Sequence, residues 1–279
     1  PLDTIMNKDA KLFTETLRIR DDGQGNKAWT SVKREIALIK AIWNNAYKHY
    51  NETWPENRKR ENPFKTVNLL NLEDKHLSEL ASGDVQDKTR RPFTPAELEV
   101  FLREYLPRMG EELQLITLIC EHAGCRIGDA TGLLLGDCLL RTDDMRPIPS
   151  LKIHSNRIRQ VTKKGIEREI PLFGGVYERL LSFTDGRKGR DRPLFPTYGT
   201  SGGAGNASAA INKHIHDLRG TEVRLTFHSF RHTVQNKAMA APGLLNKFPA
   251  YIGGWNNGDA KGLQAEYQTG GIPIVVLYE

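Results

Sequence analysis

Apolar positions in the first ninety residues follow a helical pattern. One stripe recurs at steps of three or four residues, the spacing that brings side chains onto one face of a helix: Val32, Ile36, Ile39, Trp43 and Tyr47. Ser31 stands just before the stripe and is predicted to cap this helix. A second, shorter helix is predicted over 69–80. The stripe is expected to pack into a small helical core.

A polar segment then interrupts the apolar pattern. Residues 82–93 contain glycine, proline and many charged side chains, and they offer almost nothing to bury, which is typical of a linker between domains. The next residues, Thr94-Pro95-Ala96-Glu97, have the sequence of a helix start, with Thr94 as the cap, a proline at the first helical position and Glu97 closing a capping box. We therefore predict a helical unit over 1–81, a linker over 82–93 and a second domain over 94–279.

The second domain changes period along its length. A helical pattern over 111–135 is broken at Gly124, and residues 150–172 contain two short strand-like runs, LKIH and REIPL, with a turn at 162–165 between them. Helical patterns return at 176–183, 207–219 and 227–240. The chain is therefore predicted to be mainly α with a small antiparallel β-sheet, an α+β fold. With 38% apolar and 27% charged residues and no apolar run of 18, it matches neither a disordered nor a membrane-spanning chain.

The positive charge is concentrated in one segment. The whole chain carries a net charge of +6, and residues 152–192 alone hold 11 basic and 5 acidic side chains. Such a segment suits a polyanion such as nucleic acid, because each neutralised phosphate releases counterions. A solvated basic surface explains the same charge equally well.

Several kinds of site are disfavoured by the sequence. The three cysteines include no CxxC pair, which argues against a zinc ribbon or a disulfide scaffold and indicates a reducing compartment. His228 and His232 have metalloprotease spacing, but Ser229 stands where the catalytic glutamate would be. The glycine-rich run 199–206 lacks the Gly-Lys-Ser/Thr ending of a nucleotide loop and is interpreted as a mobile loop. Neither a metal nor a cofactor is predicted.

Two arginine-containing motifs carry the strongest signal. The first is AGCRIGDATGLLLGDC, with Arg126 and, three residues later, Asp129. The second is HSFRHT, with His228 and Arg231. In this order the two motifs resemble the arginine boxes of the tyrosine recombinases, or phage-type integrases, with Phe230 where that family usually has leucine.

The resemblance extends over nearly the whole chain. VTKKGIEREIPL is similar to the family's catalytic β-hairpin, in which a lysine lies eight residues before the proline of the closing strand, and this spacing selects Lys163 over Lys164. IGGWNNG matches the place of the family's histidine or tryptophan, here Trp255, and LQAEYQTG places the nucleophile at Tyr267. The helical first unit corresponds to the family's core-binding domain, and residues 94–279 to its catalytic domain.

The resemblance implies a function and a set of residue roles. It implies a site-specific DNA recombinase of a mobile genetic element that cuts and rejoins strands through a 3′-phosphotyrosine, with no metal, ATP or other cofactor. Arg126 and Arg231 would bind the phosphate, with Asp129 as a supporting carboxylate. His228 would take the tyrosine proton or add a hydrogen bond, and Trp255 would donate its indole N–H. Lys163 would be the general acid and Tyr267 the nucleophile.

The resemblance also implies partners and a place in the cell. These are double-stranded DNA, a homotetramer on paired DNA sites, and accessory DNA-bending or directionality proteins, in the nucleoid of a prokaryotic cytoplasm and not at a membrane. The apolar run 272–277 would pack either on a neighbouring protomer or on its own domain. Two other functions stay open, a DNA-binding protein of the same fold that does not cleave, and a topoisomerase of the type IB kind.

Overall fold

The chain divides into two compact units. A computed structural model gives the structure and describes residues 5–19, 27–50, 55, 61–82, 90–141, 148–159, 167–220, 224–240 and 251–254. The units comprise residues 1–87 and 88–279, and each has its own apolar core. Within the described ranges, no helix has both the length and the apolar character needed to cross a bilayer.

The regular elements described in the first unit are helical. It consists of α1 (Asn7–Thr16), α2 (Trp29–Tyr50), a 3-10 turn (Pro63–Thr66) and α3 (Leu69–Ser82). The predicted stripe on α2 is confirmed, since three of its members are buried and the other two pack against the same core: Val32, Ile36, Trp43, Ile39 and Tyr47.

The start of α2 differs from the prediction. The helix begins at Trp29, so Ser31 lies inside it, and the carbonyl of Ala28 accepts the first helical hydrogen bond from the N–H of Val32 at 3.3 Å. Trp29 is buried, and cationic groups of Arg18 and Lys75 lie 4.5 and 4.6 Å from its ring centroid. Because this packing stabilises the additional residues at the start of the helix, the prediction of a Ser31 cap was wrong.

The second unit opens with the capping box expected from the sequence. In α4 (Pro95–Val100), the N–H of Glu97 donates to the Thr94 hydroxyl at 3.2 Å, and the N–H of Thr94 donates to the Glu97 carboxylate at 2.8 Å. Arg91 forms a bidentate ion pair with the same carboxylate, which lowers the pKa of Glu97 to about 2. Phe93, the last residue of the predicted linker, is buried in the core of this unit.

A central helix and a short second helix carry the first arginine box. Residues Leu115, Ile116 and Ile119 of α5 (Glu111–Ala123) are fully buried. The helix ends at Gly124, which adopts the left-handed conformation with φ +61°, and the chain restarts as α6 (Ile127–Thr131). The predicted break at Gly124 is thus confirmed, although α6 ends four residues before the predicted end at 135.

A small antiparallel sheet follows, in the order β1-β2-β3. Its strands are β1 (Cys138–Leu139), β2 (Ser150–Ile153) and β3 (Arg168–Pro171). The strands predicted from LKIH and REIPL are β2 and β3, and their register pairs Leu151 with Ile170 and Ile153 with Arg168. The short strand β1 was not predicted.

Three further helices follow in the second unit, α7 (Gly174–Thr184), α8 (Gly203–Arg219) and α9 (His228–Ala240), and residues 251–253 are also helical. The interpretation of residues 199–206 as a mobile loop was wrong, because the run from Gly203 onward forms the first turn of α8. A Cβ on Gly203 would lie 2.0 Å from the carbonyl oxygen of Tyr198, so this glycine permits a close approach of two backbones.

Candidate active site

A cavity of about 800 Å³ in the second unit brings the two arginine boxes together. Its lining includes Arg126 and Asp129 from the first box and His228 and Arg231 from the second. The charged side chains among its lining residues are five arginines and one aspartate: Arg90, Arg126, Arg159, Arg168, Arg231 and Asp129. A concave surface with this excess of fixed positive charge attracts anions.

Arg126 lies at the junction between α5 and α6. Its N–H donates to the carboxylate of Asp129 at 3.2 Å, so the acidic residue three positions later caps the start of α6. The Arg126 side chain is exposed and donates from Nη1 to the carbonyl of Gly254 at 3.2 Å. The guanidinium group of Arg126 is therefore held at the start of α6, in the lining of the cavity.

Arg231 lies in the first turn of α9 and is 7% exposed. Its Nη1 donates to the carbonyl of Gly124 at 2.7 Å and to that of Gly253, and its Nη2 donates to the carbonyl of Gly254 at 3.1 Å. Burial, and then repulsion from Arg126, lower the pKa of Arg231 to about 10, so the group is still cationic at neutral pH. The guanidinium groups of Arg126 and Arg231 thus meet at one carbonyl oxygen.

His228 is the first residue of α9 and is half-buried. Its ring centroid lies 5.0 Å from that of His232. Burial comes first among the causes that lower the pKa of His228 to about 4, followed by the nearby charges of His232, Arg90 and Arg231. The imidazole is therefore neutral at pH 7, with a ring nitrogen able to accept a proton.

The start of α9 is held in place from several sides. The Ser229 hydroxyl accepts from the N–H of Thr226 at 3.0 Å, and the N–H of Phe227 donates to the side chain of Asn212 on α8 at 2.8 Å. The N–H of Phe93 donates to the Thr233 hydroxyl at 2.8 Å. These bonds fix the helix turn that carries His228 and Arg231 before any ligand arrives.

Phe230, between the two site residues of α9, is fully buried. It packs against a cluster of three aromatic rings whose centroids lie 4.6 to 5.5 Å away: Phe93, Phe101 and Phe227. The core thus accommodates the phenylalanine ring of Phe230 in place of the family's leucine. His228 and Arg231, on either side of it in the sequence, still line the cavity.

Two buried arginines of the cavity were missed by the sequence analysis. Arg168 of β3 forms an ion pair with Asp129 at 2.8 Å, and its side chain is 1% exposed. Arg159 donates from Nη1 to the Asp129 carbonyl at 2.6 Å. A signal for Arg168 was available, because strict alternation along REIPL places it on the same face as the buried Ile170.

The remaining residues of the predicted site lie outside the described part of the chain. Lys163 and its alternative Lys164 fall within 160–166, with the predicted hairpin turn, and Trp255 and Tyr267 fall within 255–279, with the apolar run 272–277. Their roles, like those of Arg126, His228, Arg231 and Asp129, stay predictions. Among the described residues, no group of three or more histidine, cysteine or acidic side chains is placed to hold a metal ion.

Comparisons with known proteins show which solved structures share this fold. No family model matches the sequence, and no curated protein matches it. The Tn1549 transposon integrase in complex with transposon right-end DNA superposes with a TM-score of 0.59, at 20% identity over 96% of this chain and 87% of that one.

Structures of lambda integrase are also similar to this fold, again at low sequence identity. A dimer of its residues 75–356 on a COC′ core site matches with a TM-score of 0.58 at 16% identity, covering 96% of this chain and 81% of that one. A lambda integrase tetramer bound to a Holliday junction matches with a TM-score of 0.57 at 16% identity, over 92% of this chain and 66% of that one. Both of these proteins are integrases. The predicted fold, mainly helical with a small antiparallel sheet, is therefore confirmed, and it is the fold of these two integrases.

Proposed function

We propose that this chain is a site-specific DNA recombinase, an integrase that cuts and rejoins DNA strands through a 3′-phosphotyrosine intermediate. One observation supports this most. Arg126 and Arg231, which are far apart in the sequence of the second unit, donate to the same oxygen of Gly254 at 3.2 and 3.1 Å. Two guanidinium groups that converge on one oxygen are suited to a phosphodiester, whose two nonbridging oxygens need the same kind of donor pair.

The charge of the reaction explains why two arginines are needed. Attack on a phosphodiester builds negative charge on the nonbridging oxygens, and fixed cations in a partly closed cavity stabilise that charge without reorganising. Arg231 is held rigid by its bonds to three carbonyls, and Arg126 uses one of its five N–H donors in the side-chain bonds of the described structure. The pair therefore supplies charge stabilisation through protein side chains.

Proton transfer is assigned to Tyr267, His228 and Lys163. The Tyr267 hydroxyl attacks phosphorus and forms the phosphotyrosine bond, while the bond to the 5′ oxygen breaks. A phenol with a pKa of about 10 is roughly 0.1% ionised at pH 7, a penalty of about 4 kcal/mol, so its proton needs an acceptor. His228 is assigned to accept that proton, because a phosphate anion bound beside it raises the pKa of the imidazole from the value of about 4 that burial and the neighbouring cations give it. Lys163 protonates the departing 5′ oxygen, and Trp255 donates its indole N–H to a phosphate oxygen.

Rejoining is the reverse of the same step. A 5′ hydroxyl from the exchanged strand attacks the phosphotyrosine, the tyrosine oxygen leaves and regains its proton, and a phosphodiester is restored. Because the covalent bond to tyrosine conserves the energy of the broken ester, no nucleotide is consumed. We extend to this chain the tetrameric assembly seen for lambda integrase on a Holliday junction. The unit of residues 1–81 would bind duplex DNA as well as the catalytic domain does, and accessory DNA-bending or directionality proteins would be further partners.

Covalent trapping tests the proposal. The protein is incubated with a library of nicked duplexes of randomised sequence, since loss of a short 5′-hydroxyl fragment beyond the nick prevents rejoining. Detergent-resistant adducts are isolated and their DNA is sequenced. The expected result is an adduct that is enriched in one DNA sequence, is lost in Tyr267→Phe and persists in the matched control Tyr278→Phe.

The other outcomes point to the other functions. Sequence-specific binding without any adduct would identify a DNA-binding protein that does not cleave. Adducts without sequence preference, together with relaxation of supercoiled plasmid, would identify a topoisomerase. Either result would refute the proposed function.

A further inference from the structure

Arg168 is a buried cation for which the proposed chemistry has no direct use. It opens β3, and its side chain is 1% exposed. Its Nη2 donates to the carboxylate of Asp129 at 2.8 Å, and its Nε donates to the carbonyl of Ile252 at 2.8 Å. A buried ion pair of this kind pays a large desolvation penalty and is weak evidence for stability alone.

The backbone of Gly254 lies directly against the Arg168 guanidinium. Gly254 has φ +64°, a conformation that other residues rarely adopt, and a Cβ there would lie 2.7 Å from the Arg168 guanidinium carbon. The carbonyl of the same residue accepts from Arg126 and Arg231. The short segment 252–254 is therefore held by three guanidinium groups, one through Ile252 and two through Gly254.

The ion pair with Asp129 completes a link between three parts of the chain. The Asp129 carboxylate also accepts the N–H of Arg126, so it is bonded to β3 on one side and to the start of α6 on the other. The planar fork of an arginine can satisfy a carboxylate and a carbonyl in fixed directions at once, whereas a lysine has a single flexible ammonium. Arg168 therefore sets the spacing between α6, β3 and the segment 252–254.

We propose that Arg168 is a positioning residue for strand transfer, which holds Arg126 and the segment before Trp255 in register with β3. This inference rests on the proposed function. It predicts that Arg168 acts through Asp129, Ile252 and Gly254 and that its loss affects the chemical step more than DNA binding. An ion pair that only stabilises the fold would instead leave the folded protein fully active.

The test compares Arg168→Lys with Arg187→Lys. Arg187 also donates to two backbone carbonyls, those of Pro193 and Leu194, but it is not among the lining residues of the cavity. Single-turnover adduct formation is measured on a nicked duplex selected by the parent protein, at saturating protein and at a temperature at which circular dichroism shows each variant to be folded. DNA affinity is measured in parallel on the same duplex without the nick.

The expected result is a split between the two measurements. Arg168→Lys should form adduct at least about 100-fold more slowly, with a DNA Kd within about threefold of the parent, because a displaced donor acts on the transition state. Arg187→Lys should cleave at close to the parental rate. Equal rates for Arg168→Lys and the parent would overturn the inference, and so would an equal slowing in Arg187→Lys.

A second variant covers the case in which Arg168→Lys does not fold. Gly254→Ala keeps both partners of the ion pair but pushes a methyl group against the guanidinium, and it should show the same slow adduct formation with retained binding. Unfolding of both variants at the assay temperature would overturn the inference, since the contact would then serve stability. If the parent protein forms no adduct, the proposed function and this inference are both refuted. If the parent and Arg168→Lys cleave equally fast, the inference alone is refuted.

Discussion

Alanine variants of Arg126 and Arg231 should behave alike in strand cleavage and differently in stability. Arg126 is exposed and makes one side-chain hydrogen bond within the described part of the chain, whereas the buried Arg231 holds the carbonyls of Gly124, Gly253 and Gly254. Under the proposed function both guanidinium groups stabilise charge on one phosphate. Each truncation should therefore lower the cleavage rate by at least about 100-fold.

The stability difference follows from the bonds that each variant loses. Arg231→Ala removes a donor from three carbonyls of buried glycines. That of Gly254 keeps its bond from Arg126, whereas those of Gly124 and Gly253 lose their described side-chain donor, and a buried acceptor left without a partner costs about 1–3 kcal/mol. Part of this cost is offset, because the variant also removes a charge whose burial and repulsion by Arg126 lower the pKa of Arg231. A net loss of at least about 2 kcal/mol in unfolding free energy is expected for Arg231→Ala, and no more than about 0.5 kcal/mol for Arg126→Ala.

Two measurements check this prediction. Urea denaturation gives the unfolding free energies, and single-turnover adduct formation on a nicked duplex gives the cleavage rates at a temperature at which all proteins are folded. Arg103→Ala is the control, since this exposed arginine forms only surface ion pairs with Glu99 and Glu104 among its described contacts. Near-parental cleavage by either site variant would refute the shared phosphate, and equal stability losses would refute the role given to the three carbonyls.

Variants at three further positions test the pH dependence, the packing and the helix capping of the second unit. Because the pKa of His228 is lowered from 6.5 to about 4, the unfolded chain takes up a proton between these pH values that the folded chain does not, so stability falls as the pH is lowered through this range. In urea denaturation at pH 7 and pH 5, His228→Gln should lose less stability than the parent, and an equal loss would contradict the shift. Phe230→Ala should lose about 3–5 kcal/mol and Phe230→Leu less than about 1.5 kcal/mol, and similar losses by denaturation would show that the aromatic cluster does not pack around this ring. Thr94→Ala should lose about 1 kcal/mol while Thr94→Ser keeps the cap, and an unchanged denaturation midpoint in Thr94→Ala would exclude a stabilising cap.

Local sequence signals predicted much of the second unit. The capping box at Thr94, the break at Gly124 and the two strands of the hairpin depend on neighbouring residues, and the structure has all of them. The resemblance to tyrosine recombinases also brought Arg126 and Arg231 forward as a pair, and the structure places both at one cavity.

What the sequence analysis missed depends on contacts between distant residues. Burial of Trp29 extends α2 beyond the cap signal at Ser31, and the approach of Gly203 to a neighbouring backbone turns an apparent loop into a helix start. The pairing of Arg168 with Asp129 joins residues 39 positions apart. Alternation along REIPL indicates that Arg168 is buried, but no local pattern identifies Asp129 as its partner.

The bonded groups of the site lie far apart in the sequence, and this determines when their hydrogen bonds can form during protein synthesis. Arg231 donates to a carbonyl 107 residues earlier, and Arg126 to one 128 residues later. A nascent polypeptide that has left the ribosome only as far as α8 has neither bond, because Arg231 and Gly254 have not yet emerged to reach their partners. Under the proposed function, incomplete translation products would therefore lack strand-cleaving activity.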